Sequence, residues 1–158
     1  MDYLTPLDAP ALRDLGIPAP WSFGLADRVR FGELDAMGHV NNTASLRWFE
    51  SFRLPFLKAR GATEYLETSP RLVLKRVGVE YHAEILNRES YVVTGRVRSY
   101  RRTSFMMEYA VWVLRDTPVE AVTSHALIVF LNPDGTGRFP IPEAAKQAFA
   151  REDGAVAE

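Results

Sequence analysis

Cysteine is absent from the 158 residues of this chain. That single absence excludes disulfides, thiolate metal sites and a cysteine nucleophile together. Histidine is scarce, with only His39, His82 and His125, and no two stand at metal-ligand spacing with a carboxylate. No metal is expected, and no cofactor. His82 and His125 each fall in a strand-like run and read as hydrogen-bonded structural residues. Ser104 and Ser124 lack the Gly-x-Ser-x-Gly elbow of a serine hydrolase, and the glycines form neither a dinucleotide nor a P-loop fingerprint. No run approaches the roughly 18 apolar residues of a membrane span. The segment Met1-Asp2-Tyr3-Leu4-Thr5-Pro6 lacks the basic start and apolar stretch of a signal peptide, so the expected location is the cytoplasm. Charge of one sign is lacking too. Against 20 acidic residues stand 19 basic ones, which argues against a global nucleic-acid footprint and requires any anion site to be a local cluster.

What is present sorts into three segments. Residues 1–25 carry Pro6, Pro10, Pro18 and Pro20, with one helical turn expected at 11–15 and closed by Gly16. They read as an extension packed on a domain that spans residues 26–150. The tail 151–158 is expected to be disordered. Within the domain, Val29 and Phe31 alternate with Arg28 and Arg30 as in a half-buried strand over 26–33. Leu46, Phe49, Phe52 and Phe56 then recur at helical spacing, with Trp48 widening the apolar face. That helix is expected over 43–54, with Asn41 or Asn42 as cap, a kink or break at Pro55, and Gly61 as stop. Four strand-like runs follow, and the connections at 86–89 and 116–118 suit antiparallel hairpins. A short closing helix is expected over 141–150. One strand, one helix apolar on more than one side and four further strands suggest an antiparallel sheet wrapped around the helix, an α+β architecture.

The most informative run is Arg30-Phe31-Gly32-Glu33-Leu34-Asp35-Ala36-Met37-Gly38-His39-Val40-Asn41-Asn42, at the junction of the first strand and the helix. Unpaired backbone N–H groups at a helix start can bind an oxyanion. Asp35 lies close enough in sequence to activate water or attack a carbonyl beside them. Alone, it would more often cap a turn. Asn41 and Asn42 favour caps, with orientation of water or substrate as the other role for Asn42. Glu50, beside the helix stripe, is the alternative catalytic acid. Arg101-Arg102-Thr103-Ser104-Phe105 falls at a turn between strands, where paired arginines suit phosphates or simply blunt a solvated edge.

The run resembles the signature Asp-x-Asp-x-x-Gly-His-Val-Asn-Asn of the 4-hydroxybenzoyl-CoA thioesterase branch of the hotdog-fold thioesterases. The resemblance covers about residues 26–140. It implies a hotdog fold, a five-stranded antiparallel sheet around one long central helix, and an acyl-CoA thioesterase. It puts Asp35 at the catalytic carboxylate. Backbone N–H groups around Gly38 and His39 polarise the carbonyl, and His39 supports the carbonyl, orients water or bonds to backbone. Arg101 and Arg102 fall on residues that hold CoA phosphates. It also implies a homodimer or homotetramer paired edge to edge, with sites built from both chains. Two positions depart from the pattern: Ser45 replaces an aromatic, which reshapes the acyl pocket, and Thr103 replaces a basic residue. Rival readings are an acyl-carrier-protein thioesterase, a hydratase of the same fold and a non-catalytic acyl-CoA-binding module. The hydratase would need Asp and His one residue further apart.

Overall fold

The computed structural model describes residues 1–158. Strand β1 (Pro6–Asp8) leads into helix α1 (Ala9–Asp14), where Asp8 accepts the Ala11 N–H and Gly16, at φ +80°, ends the turn. Strand β2 spans Phe23–Arg28 and the long helix α2 spans Ala44–Ala59. Four strands follow: β3 (Arg71–Tyr81), β4 (Ser90–Tyr100), β5 (Ser104–Val113) and β6 (Val119–Leu131). Helix α3 (Glu143–Asp153) and strand β7 (Val156–Ala157) close the chain.

The sheet runs β1-β2-β4-β5-β6-β3, antiparallel throughout, with β7 added parallel to β4 at Ser99–Tyr100. Its five long strands curve over α2 in the hotdog arrangement. Phe49, Phe52 and Phe56 of the helix are each at most 1% exposed and point into one cluster of 28 buried residues. Phe23 meets the Phe52 and Phe56 rings edge-on, with centroids 5.6 and 5.5 Å apart. The helix sits so close to β4 that a Cβ at Gly95 would collide with the Phe52 ring. On the other face of the sheet, Leu12, Ile17 and Trp21 pack on Ala26, Val92, Ala110 and Trp112, so the N-terminal segment is held by a core of its own.

Several expectations change. Strand β2 begins at Phe23 and ends at Arg28, because a 3-10 turn at Phe31–Glu33 interrupts the extended backbone and leaves Phe31 81% exposed. Helix α2 does not end near Leu54. It continues past Pro55 to Ala59, since Phe56 and Leu57 are buried beyond it. Burying those two side chains, at about 1.5–3 kcal/mol each, offsets a helix-interior proline at about 3 kcal/mol. Residues 86–89 do not close a hairpin. Strand β3 pairs with β6, so the connection crosses from one edge of the sheet to its interior. The tail is not disordered: α3 runs through Asp153, whose buried carboxylate takes three N–H bonds from Arg60 at 2.6–3.3 Å. Arg60 also stacks 4.8 Å above the Phe56 ring, joining the ends of α2 and α3. No helix is long and apolar enough to cross a membrane.

Candidate functional site

Between β2 and α2 the chain folds into a small, internally bonded loop. Leu34 pairs with Val40, the Asp35 N–H donates to the His39 carbonyl at 2.8 Å, and Gly38 takes φ +79° at the tip. Asp35 Oδ1 accepts the N–H groups of Met37 at 2.8 Å and His39 at 3.3 Å. The carboxylate is therefore a turn cap and a presented group at once. Its second oxygen, Oδ2, has no hydrogen-bond partner in the chain. Glu33 faces elsewhere: it accepts the Arg30 N–H and the Trp48 indole N–H, both at 2.8 Å, and staples the loop to α2.

The expected oxyanion donors are already engaged. Gly38 N–H bonds to the Asp35 carbonyl at 3.1 Å and His39 N–H to the Asp35 carboxylate. One turn further on, the Asn42 N–H at the head of α2 has no acceptor in the chain. Thr43, not either asparagine, is the residue preceding the helix, and Asn41 Oδ1 accepts its N–H and hydroxyl at 2.9 Å each. Ser45 donates to the Asn42 carbonyl at 3.3 Å, and the Tyr81 hydroxyl donates to the same carbonyl.

Asp35, His39, Asn42 and Ser45 line one cavity of about 270 Å³, closed on its far side by Tyr81 and His82. The loop 82–89 reaches this place by pairing with the signature loop: Val40 N–H donates to the Ile85 carbonyl at 2.8 Å and His39 bridges to Leu86. His39 Nε2 lies 3.2 Å from Glu84 Oε2. Arg115 clamps the loop from behind, on Glu89 at 2.7 Å and the Glu84 carbonyl at 2.9 Å. That ion pair, with the Leu86 N–H, holds the Glu89 carboxyl below its ordinary range. His82 is not a residue within a strand. It lies past the end of β3, bonds Thr123 Oγ1 at 2.7 Å and faces this cavity. Nothing local in the sequence links Tyr81, His82 and Glu84 to Asp35; the β3–β6 pairing and the contact of the 82–89 loop with the signature loop do.

The remaining candidates stand elsewhere. Glu50 is exposed on α2 and lines a trough between α2 and β3, not the Asp35 cavity. Arg101 is exposed, paired with Glu158 at 3.1 Å, and borders a cavity of about 430 Å³ with Lys75, Arg76 and Arg138. Lys75, Arg76 and Arg138 make no ion pair within the chain, so four cations face one carboxylate there. Arg102 is not part of it; its carbonyl accepts the Ile141 N–H beside the start of α3. Lys75 and Arg76 are not among the residues expected to hold phosphate; their adjacency is the one local signal in the sequence, and the irregularity opposite Leu127 is visible only in the strand pairing.

Other proteins share this fold. A sequence profile described as the thioesterase-like superfamily matches residues 29–149. The crystal structure of a thioesterase-superfamily protein from Jannaschia sp. is 61% identical, covers 100% of this chain and 99% of its own, and superposes with a TM-score of 0.98. A Thermus thermophilus thioesterase, solved with coenzyme A and zinc, is 29% identical over 83% of this chain and 93% of its own, at a TM-score of 0.70. A gentisyl-coenzyme A thioesterase at 22% identity, covering 80% of this chain and 99% of its own, shares the fold at a TM-score of 0.70. No protein of curated function matches. With its signature loop inside a profile match that spans most of its length, the chain belongs to the thioesterase-like superfamily.

Proposed function

We propose that the chain hydrolyses acyl-CoA thioesters, with Asp35 assisting the attack of water. The observation that carries this is the half-satisfied Asp35 carboxylate: Oδ1 is fixed by two backbone N–H groups while Oδ2 is free, in one cavity with the unpartnered Asn42 N–H. Asp35 takes a proton from water as the water oxygen bonds to the thioester carbon. The carbonyl oxygen gains charge toward Asn42, which replaces Gly38 and His39 as the donor. Collapse of the tetrahedral intermediate breaks the carbon–sulfur bond, and the CoA thiolate leaves with the proton that Asp35 took from water, which restores the carboxylate. His39 and His82 are placed to hold the carbonyl or the water.

The CoA end goes to Lys75, Arg76, Arg101 and Arg138, in keeping with the coenzyme A bound by the Thermus thermophilus relative. Within one chain the Asp35 cavity lies at the Tyr81 end of β3 while Lys75 and Arg76 stand at its middle, and Lys75 and Tyr81 are six residues of extended strand, roughly 20 Å, apart. Strand β3 is also a sheet edge, eleven residues long, with Val73, Leu74, Val77 and Tyr81 each more than a third exposed. A second copy pairing β3 to β3 about a two-fold axis runs the strands antiparallel. With the axis between Gly78 and Val79, Tyr81 of one protomer lies beside Arg76 of the partner subunit. The functional unit is thus a homodimer whose sites each draw on both chains.

The test is steady-state hydrolysis across a panel of acyl-CoAs, read as release of free CoA thiol. Turnover supports the proposal. Tight binding of every member without turnover would instead make the chain a non-catalytic acyl-CoA-binding module.

A further inference from the structure

We infer that Arg53 selects acyl groups ending in an anionic hydrogen-bond acceptor, a carboxylate at the end away from the thioester, through the trough between α2 and β3. This rests on the thioester-hydrolase reading above and names its substrate class.

The trough is built from Phe49 on the helix and Leu72, Leu74 and Ile128 on the sheet, with a volume of about 360 Å³. It continues toward Leu57 and Tyr65 in a second space of about 640 Å³ that shares Glu50, Arg53, Leu72 and Ile128 with the first. Both contain one half-buried cation, Arg53. Its Nη1 donates to the Tyr109 hydroxyl at 3.2 Å, and that hydroxyl donates its own proton to Met107 Sδ at 3.2 Å. Arg53 has no carboxylate within ion-pair distance and no other side-chain acceptor in the chain. Glu50 and Glu67, which also line the trough, are exposed and do not pair with it. Nor do the neighbouring tyrosines neutralise it. Burial raises the Tyr109 hydroxyl and pushes Tyr65 up to about 12, against the pull of Arg53, so both face it uncharged.

The N–H groups of Arg53 that Tyr109 does not take meet no acceptor in the chain and are open to the trough, so an acceptor on a ligand can take them. The apolar walls formed by Phe49, Leu72, Leu74 and Ile128 suit an alkyl or aryl body. Position supplies the rest. Helix α2 and β3 run antiparallel along this space, with Ser45 and Tyr81 at the Asp35 cavity and Arg53 and Leu72 at the other end. Eight helical residues separate Ser45 from Arg53, about 12 Å. The Asp35 cavity and the trough share no lining residue, so an acyl group held at Asp35 has about that distance to span along α2 to bring its far end to Arg53.

The experiment compares matched CoA thioesters of equal backbone length, one ω-carboxyacyl and one methyl-terminated, in the full-length wild type, Arg53→Met and Arg53→Lys. Hydrolysis is read as kcat/KM. Binding is read by calorimetry in the Asp35→Asn background, so that the comparison does not depend on turnover. Wild type is expected to prefer the carboxylated ester by about ten-fold or more, the factor one charge-assisted hydrogen bond supplies. Arg53→Met should abolish that preference and Arg53→Lys should keep part of it. Equal use of both esters by wild type, or a preference unchanged in Arg53→Met, overturns the inference and leaves hydrolysis standing. Arg53-dependent binding with no hydrolysis of any ester keeps the inference and sinks the catalytic reading. A change only in sedimentation of Arg53→Met, with no change in preference, would mean that a second copy of the chain fills the trough, and would overturn it.

Discussion

The indole Nε1 of Trp48 donates to Glu33 Oε1 at 2.8 Å, and this bond ties the loop carrying Asp35 to the first turns of α2. Trp48 is 7% exposed and stacked on Tyr91 at 4.0 Å, so its end of the bond is fixed by the core. Glu33→Ala should therefore lower stability by about 1.5–3 kcal/mol, the range for a hydrogen bond to a charged group. It should also lower kcat, because Asp35 loses its mounting. Glu33→Gln keeps an acceptor and should lose much less of both. Thermal melts with parallel turnover assays check the pair; equal behaviour of the two variants would show that the bond does not position the loop.

Fold and signature were legible in the sequence for the same reason: both are written in local patterns. Phe49, Phe52 and Phe56 mark the buried stripe by spacing alone, although Leu46, from the same stripe, is 37% exposed and lines the trough. The loop chemistry of Asp35 and Gly38 follows from contiguous residues. What was hidden came from pairing between distant strands. His82 and Tyr81 reach Asp35 because β3 pairs with β6 some forty residues later, and no local periodicity encodes that choice over a β3–β4 hairpin. Phe31 misled the strand reading for a related reason, since a 3-10 turn can expose a residue that alternation assigns to the core.

Glu89 gives the site loop a pH dependence. Its carboxyl is held low mainly by the Arg115 hydrogen bond, so its contribution is fully present above its ordinary value of 4.5 and is lost as pH falls through the lower folded value. Both partners are partly exposed, and the contribution is about 0.2–1 kcal/mol after solvent screening. Glu89→Gln should flatten the acid side of the stability curve by that amount and leave the neutral side lowered by the same amount. Urea unfolding from neutral to acidic pH measures it; an unchanged slope would assign the acid sensitivity to other carboxylates.

Replacing Lys75 and Arg76 together with Ala should raise KM for acyl-CoA with little change in kcat, and an acyl-pantetheine substrate should be indifferent to the change. Arg101→Ala should act in the same direction. Arg102→Ala, outside the basic cavity, should have the smaller effect. Equal losses on both substrates would show that these residues serve the fold rather than the phosphates.

A site shared between protomers can be tested by mixing. Neither the Asp35→Asn chain nor the Lys75→Ala/Arg76→Ala chain is expected to be efficient at low substrate. A heterodimer of the two regenerates one complete site from the undamaged halves, so subunit exchange should restore on the order of a quarter of wild-type turnover. No recovery after verified exchange, or a stable active monomer at micromolar concentration in sedimentation, would contradict the composite site.

The most direct test is kcat of Asp35→Asn measured beside Glu50→Gln. Asparagine keeps an oxygen to accept the Met37 and His39 N–H groups, so the loop should fold and substrate should bind. It removes the charge that takes the proton from water, a loss of about 10²–10⁴ in rate. The expected result is a folded Asp35→Asn protein with kcat down at least about 100-fold and a Glu50→Gln protein that turns over far better. Near-wild-type turnover in Asp35→Asn, with Glu50→Gln inactive, would place the catalytic acid on the helix and contradict it.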